Sequence, residues 1–327
     1  MRIGAVPRRT CVDGVIAVIV TITPNPCVDK TVFIDRLHVG EKNRAPRYTC
    51  IAGGKGCNVS RAVNAMGGST LAMPFVGGHT GRHVVEMLTE EDGVRCAPIW
   101  VSAMTRTITT ILEEPVHRQT AVFEPGPAVT KPEGAAALEQ VAAVLSKATV
   151  ITMNGSAPDR TLDHFYHDVT RMANEAGVKT ILDAYGPICE QGLTANPYMV
   201  KPNVEEAEQL LGCSINTRAD QWAAVDSLRV KGVSLVVLSL GAAGALVACK
   251  AGCFHVMPPA IDEVNPVGSG DALVAGFALG LAGDKPIEDT ARLGVAMGTA
   301  NAMSWDIGAF TSEQVNALLP DITITPR

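Results

Sequence analysis

The chain of 327 residues carries a formal net charge of −6, with 47% hydrophobic and 18% charged residues. This composition excludes a disordered protein, and the negative charge argues against nucleic acid or an anionic membrane as the main partner. No apolar run reaches the ~18 residues that a transmembrane helix needs. We therefore expect one large core, with any anionic ligand held by local groups.

The N-terminal part of the chain contains a β-branched apolar run at residues 15–23. This run predicts a buried first strand and not a signal sequence, because no small-residue cleavage site follows it. Residues 1–14 are then interpreted as an extension ahead of a single domain of residues 15–327. The nine cysteines include no C-x-x-C pair, so reduced thiols in the cytoplasm are expected.

Short apolar runs alternate with amphipathic segments along the rest of the chain. Strands are predicted at residues 15–23, 149–153, 179–183, 199–202 and 235–239, and helices at residues 134–147, 161–176 and 220–231. This alternation predicts an α/β fold with a central, mostly parallel sheet and helices on both faces. Ligands of such sheets bind at the carboxyl ends of the strands.

Two segments, at about 31–51 and 105–124, interrupt the alternation because they are rich in strand signals and contain no helical pattern. In the second segment, residues 107–112 and 119–123 flank a polar turn, which predicts a β-hairpin. Strands that leave a parallel sheet suit a small lid or a surface shared between subunits. A homodimer through the lid strands is therefore expected.

A glycine-rich turn leads directly into an apolar helix at residues 265–277. Gly268 and Gly270 allow a sharp turn, and the free N–H groups at the start of the helix form an anion site. Asp271 would repel an anion there, unless it accepts a proton from a hydroxyl that attacks a phosphorus atom held nearby. This turn predicts a phosphoryl-transfer enzyme.

A second glycine cluster, Gly53-Gly54-Lys55-Gly56, precedes Asn58 at the start of another predicted helix. The backbone can approach a polyhydroxylated ligand here, and Asn58 offers both a donor and an acceptor. The cluster is neither a Walker A loop nor a Rossmann fingerprint, which argues against a nicotinamide-dependent dehydrogenase. The alternative interpretation is a glycine cluster that serves helix packing.

Together these motifs resemble those of the PfkB, or ribokinase-like, family of carbohydrate kinases. The matching motifs are, in chain order, Thr23-Pro24-Asn25-Pro26-x-x-Asp29, Asn43-Arg44, Gly53-Gly54-Lys55-Gly56-x-Asn58 and Gly268-Ser269-Gly270-Asp271. The first two are similar to the hexose-phosphate branch, which contains 1-phosphofructokinases and tagatose-6-phosphate kinases. The resemblance spans about residues 16–310, and it implies a ribokinase-like fold that uses ATP and Mg²⁺.

The resemblance also implies a role for each matching residue. Asp271 would be the catalytic base, and Gly268, Ser269 and Gly270 would stabilise charge on the transferred phosphoryl group. The implied substrate-binding residues are Asp29, Gly53, Gly54, Lys55, Asn58 and Arg106. The implied nucleotide-binding residues are Lys201, Asn203, Glu206, Ser239, Gly241, Ala242 and Gly244.

Three of these assignments have a plain structural alternative. Arg106, in the Thr105-Arg106 pair of this branch, would grip a phosphate that the substrate already carries, but it could also be a solvated strand charge. Glu206, in the Asn-x-x-Glu element, would act on magnesium through water, or it is simply a helix-start glutamate. Asp29 would bind sugar hydroxyls, or it caps a turn.

Three positions depart from the family pattern, and one of them, Ala121, affects the choice of substrate. Arg160 stands where the family usually has a glycine, and Pro266 is an unusual residue next to the predicted anion site. Ala121 stands near the position where fructose-6-phosphate kinases of the family tend to have a second arginine. The loss of that arginine weakens an assignment as a 6-phosphofructokinase. Fructose 1-phosphate, converted to fructose 1,6-bisphosphate, is the favoured substrate. Alternatives are tagatose 6-phosphate, fructose 6-phosphate, an unphosphorylated sugar or nucleoside, and a non-catalytic sugar-phosphate sensor.

Overall fold

The computed structural model describes residues 11–12, 15–16, 18–116 and 118–327, so most of the predicted extension at 1–14 lies outside the described residues. The strands are β1 (Cys11–Val12), β2 (Val15–Ile16), β3 (Val18–Thr23), β4 (Cys27–Ile34), β5 (Arg47–Gly53), β6 (Thr70–Val76), β7 (Ile99–Trp100), β8 (Arg106–Glu113), β9 (Arg118–Phe123), β10 (Ala148–Asn154), β11 (Lys179–Asp183), β12 (Met199–Val200), β13 (Leu235–Ser239), β14 (Ala245–Cys249), β15 (Gly252–Met257) and β16 (Thr323–Pro326). The helices are α1 (Lys55–Ala65), α2 (Gly78–Glu86), α3 (Lys131–Leu145), α4 (Phe165–Glu175), α5 (Pro187–Leu193), α6 (Val204–Leu211), α7 (Arg218–Val230), α8 (Ser269–Ala282), α9 (Ile287–Ala302) and α10 (Ser312–Leu318).

The central sheet has the strand order β16-β15-β14-β13-β12-β11-β10-β3-β6-β7. The strands from β13 to β7 run parallel to one another, whereas β14, β15 and β16 add an antiparallel edge. The predicted mostly parallel sheet is confirmed. Within the described ranges no helix is long and apolar enough to cross a membrane.

Alternate residues of the central strands belong to two separate cores, one on each face of the sheet. Val20 and Ile151 lie in a core with residues of α3, α4 and α7. Their chain neighbours Ile19 and Val150 lie in the other core, with residues of α1, α8 and α9. Because successive side chains of a strand point to opposite faces, this division follows from the strand period and confirms helices on both faces.

The predicted strands at 179–183 and 235–239 are confirmed with the same bounds, as β11 and β13. The first sheet strand begins only at Val18, because Val15–Ile16 pairs antiparallel with Cys11–Val12. The strand predicted at 199–202 ends at Val200. Pro202 has no N–H group with which to continue a ladder.

The predicted helices are present, but two begin earlier than their apolar pattern indicates. α3 begins at Lys131 because Thr130 and Glu133 form a capping box, with a proline in the first turn. Thr217 and Asp220 form the same kind of cap at the start of α7. The segment predicted at 161–176 divides into a short 3₁₀ turn, Arg160–Leu162, and α4.

A second sheet of four strands, in the order β5-β4-β8-β9, stands apart from the central one, and we call it the lid sheet. The predicted hairpin is confirmed as β8 and β9, with Ile108 opposite Phe123. β4 and β5 supply the strands of the segment predicted at 31–51, although β4 begins earlier, at Cys27. The lid sheet is mixed, because β4 pairs antiparallel with β5 and parallel with β8. The sequence thus indicated strands outside the main sheet.

Candidate active site

A cavity of about 1110 Å³ is lined both by residues of the lid sheet and by residues that follow strands of the central sheet. Most of the predicted site residues line it. These are Asp29, Lys55, Asn58, Lys201, Asn203, Ser239, Gly241, Ala242, Gly244, Gly268, Ser269, Gly270 and Asp271. Gly53, Gly54, Arg106 and Glu206 do not line the cavity. Of these, Gly53 lies against Asp29 and Glu206 contacts Lys55, and both of those partners line it.

Asp271 lies in the first turn of α8, which begins at Ser269 after Gly268. The residue is buried, with 7% of its surface exposed. Its Oδ2 atom accepts a hydrogen bond of 2.7 Å from Nδ2 of Asn58 on α1. The two motifs recognised in the sequence, 213 residues apart, therefore meet at one carboxylate.

The surroundings of Asp271 make it a stronger base than an ordinary aspartate. Burial raises its pKa to about 6, and the nearby carboxylate of Asp183 acts in the same direction. The ammonium groups of Lys55 and Lys201 and the Asn58 hydrogen bond oppose the rise. A carboxylate with this pKa is mostly ionised at pH 7 and still accepts a proton readily.

The turn before α8 has a backbone that only glycine adopts easily. Gly268 has φ of 82°, and a Cβ atom there would lie 2.4 Å from Cγ2 of Ile307. A Cβ at Gly270 would lie 3.4 Å from Nζ of Lys201, so an ammonium group stands directly beside the turn. The Ser269 amide donates to the carbonyl of Pro266 at 3.1 Å, so the proline that departs from the family pattern is part of the hydrogen-bonded turn. The Ala272 amide donates to the carbonyl of Gly268 at 2.9 Å, which leaves the amides of Gly270 and Asp271 suited to an anion.

Asp183, at the end of β11, is a site residue that the sequence analysis missed. Its Oδ1 atom lies 3.1 Å from Nζ of Lys201 and 3.3 Å from Nζ of Lys55. Burial alone would raise the pKa of Asp183, but the two ammonium groups lower it. The available signal was a carboxylate at the carboxyl end of a correctly predicted parallel strand, where ligands of such sheets bind.

Glu206 is a helix-start residue, as one of its two interpretations predicted, and it also belongs to a charged cluster. It forms a capping box with Asn203, whose backbone N–H donates to Oε2 at 3.0 Å. Its Oε1 atom accepts a bond of 3.0 Å from Nζ of Lys55. Burial opposes ionisation of Lys55, but the carboxylates of Asp183 and Glu206 outweigh it and raise the lysine pKa.

Asp29 and Arg106 lie on neighbouring strands of the lid sheet. Burial raises the pKa of Asp29, while the charges of Arg61 and Arg106 lower it. Arg106 donates to the carbonyl of Asn25 at 3.2 Å. Its Nε atom is buried and, among the described atoms, has no hydrogen-bond partner. The Nε atom is therefore shielded from solvent, while Arg106 as a whole is partly buried.

The glycines before α1 let the loop lie directly on the first sheet strand and the lid sheet. A Cβ at Gly53 would lie 2.8 Å from Cβ of Asp29. Gly54 has φ of 116°, and a Cβ there would lie 2.8 Å from Cγ2 of Thr23. These close approaches are what glycine permits, and they set the position of Lys55 at the start of the helix.

The predicted nucleotide loop follows β13 and forms a short 3₁₀ turn, Gly241–Ala243. Gly244 then turns the chain with φ of 81°, and a Cβ there would lie 2.0 Å from the carbonyl oxygen of Val256.

Of the departures from the family pattern, Ala121 lines the cavity from β9. Arg160 does not line it and has a side chain that is 96% exposed.

The sequence model of the pfkB family of carbohydrate kinases matches residues 22–304 of the chain. A tagatose-6-phosphate kinase from Staphylococcus epidermidis is 32% identical over 309 residues, covering 94% of this chain and 99% of that protein. A 1-phosphofructokinase from Bacillus subtilis is 31% identical over 307 residues, covering 94% and 99%. The crystal structure of phosphofructokinase-2 from Escherichia coli in complex with fructose-6-phosphate matches with a TM-score of 0.86 at 27% identity, covering 93% of this chain and 99% of that one.

Proposed function

Since the chain belongs to the pfkB family of carbohydrate kinases and is an ATP-dependent hexose-phosphate kinase, we propose that it phosphorylates the free primary hydroxyl of a phosphorylated ketohexose. The favoured substrate is fructose 1-phosphate, which would give fructose 1,6-bisphosphate and ADP. The buried carboxylate of Asp271, beside a helix-start anion site, is the observation that carries this proposal. Tagatose 6-phosphate is the second candidate, because a tagatose-6-phosphate kinase is 32% identical to the chain.

In the proposed reaction the chain contributes a base and a set of positioned positive groups. Asp271 would take the proton of the acceptor hydroxyl as that oxygen attacks the γ-phosphorus of ATP. The first-turn amides of α8 and the ammonium of Lys201 would stabilise charge on the transferred phosphoryl group. Asp29 and Asn58, which both line the cavity, would orient the sugar hydroxyls.

The magnesium ion that accompanies ATP would be held by Asp183 and, through water, by Glu206. Asp183 supports this assignment because its Oδ2 atom is buried and, within the described part of the chain, has no hydrogen-bond partner. Carboxylate oxygens are ligands that magnesium prefers. The described residues contain no cluster of three or more His, Cys, Asp or Glu side chains that could hold a metal, so water and phosphate oxygens would complete the coordination. The bound ion would supply positive charge to the phosphate oxygens.

The activity should depend on pH through the ionisation of Asp271. Its pKa is raised to about 6, and a base must be unprotonated to act, so kcat/KM should fall as the pH drops through about 6. Initial rates between pH 4.5 and 8, at limiting sugar phosphate, measure this fall of kcat/KM on the acidic side of the profile. A profile that stays flat down to pH 4.5 would contradict the assignment of Asp271 as the base.

Arg106 is proposed to bind the phosphate that the substrate already carries. Its buried Nε atom has no partner among the described atoms, so a bidentate phosphate contact would satisfy it. We expect Arg106→Ala to lower kcat/KM about tenfold or more for a sugar phosphate, and less for the unphosphorylated sugar. Arg118→Ala is the matched control, because it removes an exposed guanidinium from the adjacent strand of the lid sheet. Equal losses on both substrates would remove Arg106 from phosphate recognition.

The function is tested by ADP release with magnesium and ATP against a panel of acceptors. The panel holds fructose 1-phosphate, fructose 6-phosphate, tagatose 6-phosphate, fructose, ribose and adenosine. A signal on one phosphorylated ketohexose that Asp271→Asn abolishes supports the proposal and names the substrate. Silence on every acceptor, while the sugar phosphates still raise the unfolding temperature, would favour the sensor alternative.

The lid sheet is also proposed to form a homodimer. β9 is an edge strand, and Val122 and Phe123 on it, like Tyr48 on β5, are large exposed hydrophobic residues. Pairing of two lid sheets would cover them. Light scattering during size-exclusion chromatography measures the mass of the particle.

From Cys27 onward the cysteines are free thiols, which supports a location in the reducing cytoplasm.

A further inference from the structure

A series of hydrogen bonds runs from Asp92 through Arg61 and Asn58, both on α1, to Asp271. Oδ2 of Asp92 lies 2.7 Å from NH2 of Arg61, and the same guanidinium donates to the carbonyl of Ala52 at 3.0 Å. NH1 of Arg61 donates to Oδ1 of Asn58 at 3.0 Å. Nδ2 of Asn58 then donates to Oδ2 of Asp271 at 2.7 Å. Arg61, Asn58 and Asp271 are all at most 9% exposed.

These hydrogen bonds allow only one orientation of the Asn58 amide. The oxygen and the NH2 group of an asparagine exchange places when the amide rotates by half a turn. A guanidinium has donors only, so Arg61 accepts nothing and holds the Asn58 oxygen on its own side. The rotated amide would set its NH2 group against Arg61 and its oxygen against the carboxylate of Asp271. Both contacts would be repulsive.

Arg61 is itself held in place by its other partners. It follows Asn58 by three residues on α1, so both side chains lie on one face of the helix. Asp92 and the Ala52 carbonyl use NH2, which leaves NH1 directed at Asn58. A Cβ at Gly308 would lie 3.0 Å from Cδ of Arg61, so the alkyl part of the side chain is packed closely as well.

We infer that Arg61, anchored by Asp92, is a positioning residue that fixes the Asn58 amide so that it donates to Oδ2 of Asp271 and leaves Oδ1 to accept the proton. This inference rests on the proposed role of Asp271 as the base. Neither Arg61 nor Asp92 lines the cavity, so both act through Asn58.

The inference predicts that the pKa of Asp271 changes when the hydrogen bond between Arg61 and Asn58 is lost. The charged groups that act on Asp271 are Asp183, Lys55 and Lys201, and a substitution of Arg61 leaves all three in place. The charge of Arg61 also lowers the pKa of Asp29, an effect that does not pass through Asn58 and so would persist in the Asn58→Leu background. Donation from Asn58 lowers the pKa of Asp271. An amide free to rotate donates less, so the pKa should rise and the acidic limb of kcat/KM should move to higher pH.

The test compares pH profiles of Arg61→Met, Asn58→Leu and the double variant, with Arg171→Met as the control. Arg171 is an exposed arginine that pairs with Glu175 on α4. We expect Arg61→Met to lower kcat about tenfold or more and to move the acidic limb of the kcat/KM profile to higher pH by about one unit. Arg171→Met should change neither. In the Asn58→Leu background the same substitution should add no further shift.

Two results would overturn the inference: an unshifted limb in Arg61→Met, or a shift that adds in full to that of Asn58→Leu. If Arg61→Met does not fold, as judged by cooperative thermal unfolding, Asp92→Asn decides by the same two readouts. That variant keeps the guanidinium but removes the charge that anchors it. Asp271→Asn separates the two proposals, because its full activity would refute the base itself, whereas its inactivity beside an unchanged Arg61→Met would refute only the positioning role.

Discussion

Replacing Asp271 with asparagine is expected to lower kcat by at least about a hundredfold, the scale at which enzymes lose a general base. The substitution keeps the size of the side chain, and the new amide oxygen can still accept the bond from Nδ2 of Asn58. It removes only the basic oxygen that would take the hydroxyl proton. The measurement is kcat at saturating ATP with the best acceptor of the panel.

Asp226→Asn is the matched control for this experiment. Asp226 is half-exposed and pairs with Arg327 on the surface, so the control removes one carboxylate far from the cavity. It should retain its turnover. Magnesium and ATP should raise the unfolding temperature of Asp271→Asn as they do that of the unaltered chain. Near-normal turnover of Asp271→Asn would contradict the assigned base.

The stability of Asp271→Asn provides an independent check on the ionisation of this residue. The folded pKa of Asp271 lies above the ordinary value, so its contribution to stability is present at low pH and lost as the pH rises through about 6. An asparagine does not ionise and does not suffer that loss. At pH 8 the unfolding temperature of the variant should therefore equal or exceed that of the unaltered chain, although its activity is lost.

The sequence predicted the fold where a local pattern sufficed. β11 and β13 are short and almost wholly buried, each contains β-branched residues, and their predicted bounds are those of the structure. The start of α3 was placed too late, because it depends on the polar cap of Thr130 with Glu133 and not on apolar spacing. Hydrophobic periodicity shows which face of a helix is buried, whereas the ends are set by single polar side chains.

For the candidate site, local signals found the glycine turns and Asp271 but not the charges that act on it. Asp183 lies 128 residues from Lys55 in the chain, and no spacing rule connects them. Arg61 follows the recognised glycine motif by three residues, yet its role depends on Asp92, which is 31 residues away. Such partners meet only through the packing of α1 against the sheet, so the sequence alone offers residue types without their contacts.

Gly268→Ala is expected to lower kcat by about a hundredfold, comparable to the loss of a donor that stabilises a developing charge. Gly268 has φ of 82°, and the new Cβ atom would lie 2.4 Å from Cγ2 of Ile307, so the turn before α8 must shift. A shift there would move the first-turn amides and Asp271 together. Steady-state kinetics should show the loss mainly in kcat, since these groups act on the transferred phosphoryl group.

Gly177→Ala and Ile307→Ala divide this effect between backbone strain and crowding. Gly177 has φ of +70°, and a Cβ there would meet nothing within 4 Å, so alanine at this position adds strain alone, of about 1–3 kcal/mol. It should lower the unfolding temperature and leave kcat unchanged. In Gly268→Ala, the added change Ile307→Ala removes the crowding atom but not the positive φ, and it should restore part of kcat. Full activity of Gly268→Ala would show that the position of this turn does not limit phosphoryl transfer.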